Sequence, residues 1–298
     1  MHSTFTLKSL ARSLYIMEPN QSFENFFNIA EKVTTRIITT NTCNLHCTFC
    51  DVGCDQPIKK SSSHIFRQSP FTLEEDSLEK FCKIFSGIGE ENLHVLQGGE
   101  ATMLPIKKLV RMIDILSEYN RAVSLKTTGY NLTQIPIQSL NKIQHITVTD
   151  HGINSDAVKA SKSFLENNYK GEWEINRVTE HRNTQEVVRH NQGDAKFGLS
   201  CDHLMSTLTF ITPVIYPCCN SWAIMHNLNE DDLRTSLISA GWTIDNPDLV
   251  STLSNWRESI PKMFLNSICA GSCYKTYDGN PDSFEILPHP KDKILRFP

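Results

Sequence analysis

Residues 33–54 run VTTRIITTNTCNLHCTFCDVGC. The first eight are dominated by β-branched side chains, which fit a pleated strand better than a helix. A cluster of thiols follows at once: Cys43, Cys47 and Cys50 in a C-x3-C-x2-C spacing, with Cys54 behind them. Three thiolates so close together can wrap one compact inorganic centre. A 4Fe–4S cluster takes four ligands, so three cysteines leave one iron open, and an open position marks a metal site that does chemistry. A tetrahedral zinc site completed by His46 or Cys54 is the competing reading of the spacing.

Beyond the cysteines, residues 54–70 are polar and read as a long loop. Periodicity then alternates between helix and strand. FTLEEDSLEKFCKIFSGIG (71–89) predicts an amphipathic helix opening at Thr72, with Glu75 completing a capping box. ENLHVLQGG (91–99), AVSLKTTG (122–129), HITVTDHG (145–152) and EWEINRVTE (172–180) predict strands. Helical patterns at 106–120, 136–143 and 155–168 separate them. Such alternation implies βαβ units and a parallel sheet, either a partial (β/α)5-6 barrel or an open doubly wound sheet. Near residue 195 the pattern changes. FGLSCDHLMSTLTFITPVIYPCCN (197–220) predicts a hairpin flanked by cysteines, with helices at 230–240 and 246–259 and then CAGSC (269–273). The expected fold is α/β: a helical extension over 1–32, a barrel over 33–195 and a small α+β unit over 196–298.

Composition narrows the function classes. The 298 residues carry 29 Lys+Arg and 33 Asp+Glu, a net charge of −4, with 39% hydrophobic and 21% charged residues. That is ordinary globular composition, and its charge argues against nucleic acid as a partner. No apolar run approaches the ~18 residues of a membrane span. Residues 1–17, MHSTFTLKSLARSLYIM, lack the apolar core of a secretory signal and read as a short amphipathic helix. Ten cysteines in such a chain point to metal or redox chemistry in the cytoplasm before disulfides.

With Phe49 between its second and third cysteines, the loop resembles the C-x3-C-x-aromatic-C signature of the radical S-adenosylmethionine (SAM) enzymes. Gln97-Gly98-Gly99-Glu100, after the second barrel strand, resembles that family's GGEP motif, with Ala101 in place of proline. The resemblance implies a SAM-binding 4Fe–4S cluster on Cys43, Cys47 and Cys50. It also implies backbone carbonyls of the glycine run taking the methionine ammonium, with Glu100 adding charge complementarity. Lys126-Thr127-Thr128-Gly129 resembles the TNG segment near the ribose, with Thr128 replacing the amide. Thr149-Asp150-His151 and Asn176-Arg177 end the next two strands, and side chains there are expected to point at the barrel mouth. Asp150 is assigned to cofactor binding, and Arg177 and His151 to catalysis.

Cys201, Cys218 and the pair Cys269/Cys273 come from three segments and can close a full cage around a second cluster, or around zinc. Tyr216-Pro217-Cys218 matches the Pro-Cys part of the Twitch domain, a shortened SPASM domain, which favours Cys218 over Cys219. The implied chemistry is hydrogen abstraction by a 5′-deoxyadenosyl radical, with the auxiliary 4Fe–4S cluster accepting an electron. The resemblance implies net two-electron oxidation of a small molecule, as by an aminocyclitol dehydrogenase. Modification of a peptide or protein side chain is the alternative, and a non-catalytic zinc or iron–sulfur module the third reading. A flavodoxin- or ferredoxin-type protein is the implied electron donor. Of the cysteines left over, Cys82 is expected to be a core thiol.

Overall fold

The structure is a computed structural model and describes residues 34–47, 71–85, 93–119, 121–178, 180–182, 207–218, 241–245, 286–288 and 294–296. The expected extension over 1–32, loop over 54–70 and helices after 230 lie outside the described residues, as do the side chains of Phe49, Cys50, Cys201, Cys269 and Cys273.

Strands β1 (Thr34–Ile38), β3 (Leu93–Gln97), β4 (Ala122–Thr127), β5 (His145–Asp150) and β6 (Glu172–Arg177) lie side by side in chain order. Every pair among these neighbours is parallel. Sequential order is that of a singly wound barrel wall and not of a doubly wound sheet, which reverses at a switch point. Strand β8 (Thr207–Ile211) returns to pair in parallel with the other side of β1, and β9 (Val214–Pro217) and β10 (Trp242–Thr243) extend that side antiparallel. Among the described residues the sheet has eight strands and ends at β6 and β10. Two short antiparallel pairs stand apart from it: β2 (Leu45–Cys47) with β12 (Ile294–Arg296), and β7 (Glu180–Arg182) with β11 (Ile286–Pro288).

Helices α1 (Glu75–Ile84), α2 (Ile106–Glu118) and α4 (Ser155–Asn168), with the single turn α3 (Ile137–Leu140), fill the crossovers. On α2, Leu109, Met112, Ile113 and Leu116 recur at helical spacing and are buried. They share a core with Ile37, Leu96, Val123, Leu125, Ile146 and Val148, which register places on one face of the sheet. Phe81 of α1 stacks on Phe210 of β8 with ring centroids 4.6 Å apart. Sheet and core therefore run across residue 195, where the sequence pattern changes.

Two elements differ from the sequence expectation. Helix α1 begins at Glu75, with Glu74 at its N-cap and no side-chain cap, so Thr72 does not open it. Residues 71–73 instead run extended beside Thr39–Asn41: Leu73 N donates to Thr39 O at 2.8 Å and Phe71 N to Asn41 Oδ1 at 2.7 Å. On its β8 side the chain leaving β1 has run past its last ladder partner, Ile37↔Phe210, and these donors take over there. The fifth barrel strand also breaks earlier than expected. It ends at Arg177, and Glu180–Arg182 joins a different sheet.

His94 of β3 is buried in this core, and among the described residues neither ring nitrogen has a hydrogen-bond partner. Phe81 meets it edge-on at 5.8 Å. Desolvation, with a smaller push from the Arg121 charge, holds its pKa down to about 3, against 6.5 ordinarily. Burial likewise pushes the Cys82 thiol up to about 12, which keeps it the inert core thiol expected. Below pH 6.5 the unfolded chain takes up a proton on His94 that the folded chain does not. Stability is therefore fully present above that pH and falls as pH drops toward 3, with a limiting slope of about 1.4 kcal/mol per pH unit. We predict that His94→Leu equals or exceeds the native protein in stability at pH 7.5 and loses less on acidification, as read from urea midpoints at pH 7.5 and 5.

Candidate functional site

The C-terminal ends of the parallel strands bring together most of the described candidate residues. Cys43 follows β1 and is half-buried and free of disulfide. Leu45 N donates to its Sγ at 3.4 Å, and Sγ itself lies 3.9 Å from Asn44 Oδ1. Cys47 is placed by backbone in β2.

The glycine run packs directly on the segment that leads to Cys43. Gly99 N donates to Thr40 O and Glu100 N to Thr42 O, both at 2.7 Å. A Cβ on Gly98 would lie 2.4 Å from Thr40 O, and one on Gly99 2.1 Å from Thr42 O. Gly98 also has φ +147°, which side-chain-bearing residues rarely adopt. The close approach these glycines allow is thus to the cysteine-bearing backbone. Among the described residues no donor meets the carbonyls of Gly98 and Gly99, which leaves those oxygens able to receive an ammonium.

Glu100 is 1% exposed and its carboxylate is turned inward. Oε1 accepts from Thr102 N at 3.1 Å, Thr102 Oγ1 at 2.7 Å and Thr127 Oγ1 at 2.6 Å; Oε2 accepts from Thr128 N at 2.5 Å. These charge-assisted bonds lock the turn after β3 to the end of β4. The Glu100 carboxylate is therefore satisfied by buried bonds and is not exposed.

Thr128 is where three loops meet. Its N–H binds Glu100, its Oγ1 donates to Asn44 Oδ1 at 3.3 Å, and its carbonyl accepts from Asn154 Nδ2 at 2.8 Å. Asn44 lies between Cys43 and Cys47, so the cysteine loop, the glycine loop and the loop after β5 all converge on this residue. The sequence reading missed Asn44 and Asn154, because a single amide carries no spacing signal.

At the rim, Asp150 Oδ1 accepts from Gly152 N at 2.7 Å, and Asp150 Oδ2 lies 3.8 Å from Arg177 Nε. The Arg177 side chain is 71% exposed. His151 donates its backbone N–H to Asn154 Oδ1 at 2.8 Å. Strand register pairs Asp150 with Arg177 and Thr149 with Asn176. By alternation, Asp150 and Arg177 fall on the face carrying Ile146, Val148, Trp173 and Ile175, which the helices cover. Thr149 and Asn176 fall on the opposite face with Lys126, Thr147 and Glu174. Asn176 was passed over in the sequence for its charged neighbour.

Cys218 sits elsewhere. Its N–H donates to Thr207 O at 2.8 Å, and Thr207 pairs with Thr34 at the start of β1. It is buried and holds φ 74°. The length of the sheet, on the order of 15 Å, separates it from the end that bears Cys43. Among the described residues no three His, Cys, Asp or Glu side chains gather as a metal cage; Cys43 and Cys218 are the only candidate ligands whose side chains are described.

No protein-family model and no curated protein matches the chain. Several solved structures are similar over part of it, among them the following three. "Native anSMEcpe with bound AdoMet" is 18% identical with a TM-score of 0.38 and covers 53% of this chain. "Native anSMEcpe with bound AdoMet and Cp18Cys peptide" is 17% identical with a TM-score of 0.37, also over 53%. "Crystal structure of Streptococcus suis SuiB bound to precursor peptide SuiA" is 16% identical with a TM-score of 0.39, over 60%. The similarity spans less than half of each of those chains, 45–46%. No described helix is long and apolar enough to cross a membrane.

Two substitutions test the Glu100 bonds and the contact of the glycines with the cysteine-bearing backbone. Glu100→Gln keeps the shape but turns an amide toward hydroxyl and N–H donors, and should cost about 1–3 kcal/mol in urea unfolding. Gly99→Ala must push Thr42 away and should lower the urea midpoint of unfolding at pH 7.5.

Proposed function

We propose that the chain is a radical SAM enzyme in which the loop after β1 holds a 4Fe–4S cluster through Cys43, Cys47 and Cys50. The observation that carries this reading is the convergence on Thr128. A cysteine-rich loop, a glycine loop with open carbonyls and the ends of β4 and β5 are tied together by Asn44, Glu100 and Asn154. That is the surround a cluster and a nucleotide need side by side, and the donor set suits it: one half-buried cysteine already receives an N–H bond on sulfur. When bound, the cluster supplies the electron that cleaves SAM to methionine and a 5′-deoxyadenosyl radical.

The residues of this chain bind and orient. The Gly98 and Gly99 carbonyls receive the methionine ammonium. Thr128, fixed at all three of its polar groups, sets the floor beside the ribose, with Phe49 and Gln97 completing the nucleotide surround. Asp150 holds the turn at Gly152 and faces Arg177. Arg177, exposed at the rim with its Nε 3.8 Å from Asp150 Oδ2, is assigned to binding an anionic or carbonyl group of the substrate. That revises its candidacy as the base. His151 stands next to it at the rim as a substrate contact.

We place the substrate among peptide or protein side chains and not among small molecules. Strand β6 is a sheet edge, with Glu172, Glu174, Asn176 and Arg177 exposed among the described residues. An open flank of this kind admits a segment of polymer that an enclosed lumen would refuse. Cys201, Cys218, Cys269 and Cys273 are proposed to hold the auxiliary 4Fe–4S cluster in the C-terminal part, with a flavodoxin- or ferredoxin-type donor serving the first cluster.

Anaerobic reconstitution should give about eight irons per chain if both clusters form. Replacing Cys43, Cys47 and Cys50 together by Ala should abolish 5′-deoxyadenosine production; zinc with negligible iron, or retained SAM cleavage, would end the proposal. For the substrate, deuterium from labelled peptides and labelled polyols should be sought in 5′-deoxyadenosine, and transfer from a polyol alone would reverse the choice made here.

A further inference from the structure

We infer that Asn154 is a positioning residue of the nucleotide site, whose carboxamide fixes the spacing between the ends of β4 and β5 where the adenosyl group of SAM would lie. The inference rests on the SAM reading above and adds a residue to it. Asn154 stands at the N-cap of α4, where an asparagine ordinarily accepts from a helix amide. It makes no such bond. Its side chain is 3% exposed and reaches back to the strands instead. Nδ2 donates to Thr128 O and to Thr149 O, both at 2.8 Å, and Oδ1 accepts from His151 N at 2.8 Å.

The need for such a bridge follows from the ladder. The pairing of β4 with β5 ends at Thr127↔Val148. Past that point no ladder pair joins the two strands, and the Asn154 amide bonds a carbonyl of each, Thr128 O and Thr149 O. One primary amide supplies two N–H donors from a single nitrogen, so it can hold both carbonyls at a set separation. Aspartate has the same shape but no donor and would aim a charge at two carbonyl oxygens. Serine has one donor and alanine none. Asn154 also sets the His151 backbone, so the register of the rim depends on the same side chain. Thr128 is held from its other side by Glu100 and Asn44, which makes Asn154 the third support of the residue on which the loops converge.

The test uses the full chain, anaerobically reconstituted, with SAM itself as probe. Asn154→Ala and Asn154→Ser should raise the Kd for SAM about tenfold, and Asn154→Asp further. KM for SAM should rise in step while kcat for 5′-deoxyadenosine formation moves less. Iron content and the electron paramagnetic resonance spectrum of the reduced cluster without SAM should match the native protein, and the spectral change that SAM induces should require more SAM. Ser155→Ala, which removes a bond only to Gly152 O, should leave SAM affinity unchanged and so controls for disturbance of the helix start. A lower thermal midpoint with SAM affinity intact in the Ala and Ser variants would overturn the inference and leave Asn154 a purely structural bridge. Failure of the native, cluster-loaded protein to bind SAM would overturn the SAM reading first, and this inference with it.

Discussion

The buried carboxylate of Glu100 is the constraint around which the site is built. A charge taken out of water is tolerated only when hydrogen bonds replace its hydration, and here four donors from two segments do so. Because those donors come from the turn after β3 and the end of β4, satisfying the charge fixes the relative height of two strand ends. The glycines before Glu100 then press on the backbone that precedes Cys43. One buried anion, two glycines and one threonine thus hold three loops in register, although each loop is connected to a different strand.

The two faces of the sheet divide the labour. Parallel sheets usually have both faces covered by apolar layers. One face here is apolar, packed by α1, α2 and α4 over Ile37, Leu96, Val123, Leu125, Ile146 and Val148. The other, over β4 to β6, presents Lys126, Thr147, Thr149, Glu174 and Asn176. A polar face on parallel strands is what a barrel wall shows to its lumen, and it explains why the strands read as alternating and not as continuous apolar runs.

Much of this was legible in the amino-acid sequence. Strand and helix order, the register-neutral positions of α2 and α4, and the placement of Cys43, Gly98, Gly99, Glu100 and Thr128 at strand ends follow from periodicity and turn residues. Three things were not. Thr72 looked like a helix start because the capping box is a local pattern, whereas its backbone is claimed by Thr39–Asn41 from a distant segment. Glu100 looked like a ligand because a carboxylate in a glycine turn gives no sign of which way it faces; that depends on hydroxyls contributed by Thr102 and Thr127. Arg177 drew attention over Asn176 because charge is conspicuous, while which of two adjacent residues shares a face with Lys126 and Glu174 is set by register with β5.

The return of β8 to β1 has a consequence for handling the protein. With the hairpin in place, the β-branched run TTRII is an interior strand, bonded on both sides. Cutting the chain at the change of pattern near 195 would strip one side of it and bare Phe81 of its stacking partner. An unprotected edge of that composition invites intermolecular pairing, so a fragment carrying only the first five barrel strands is destined for inclusion bodies rather than for the soluble fraction.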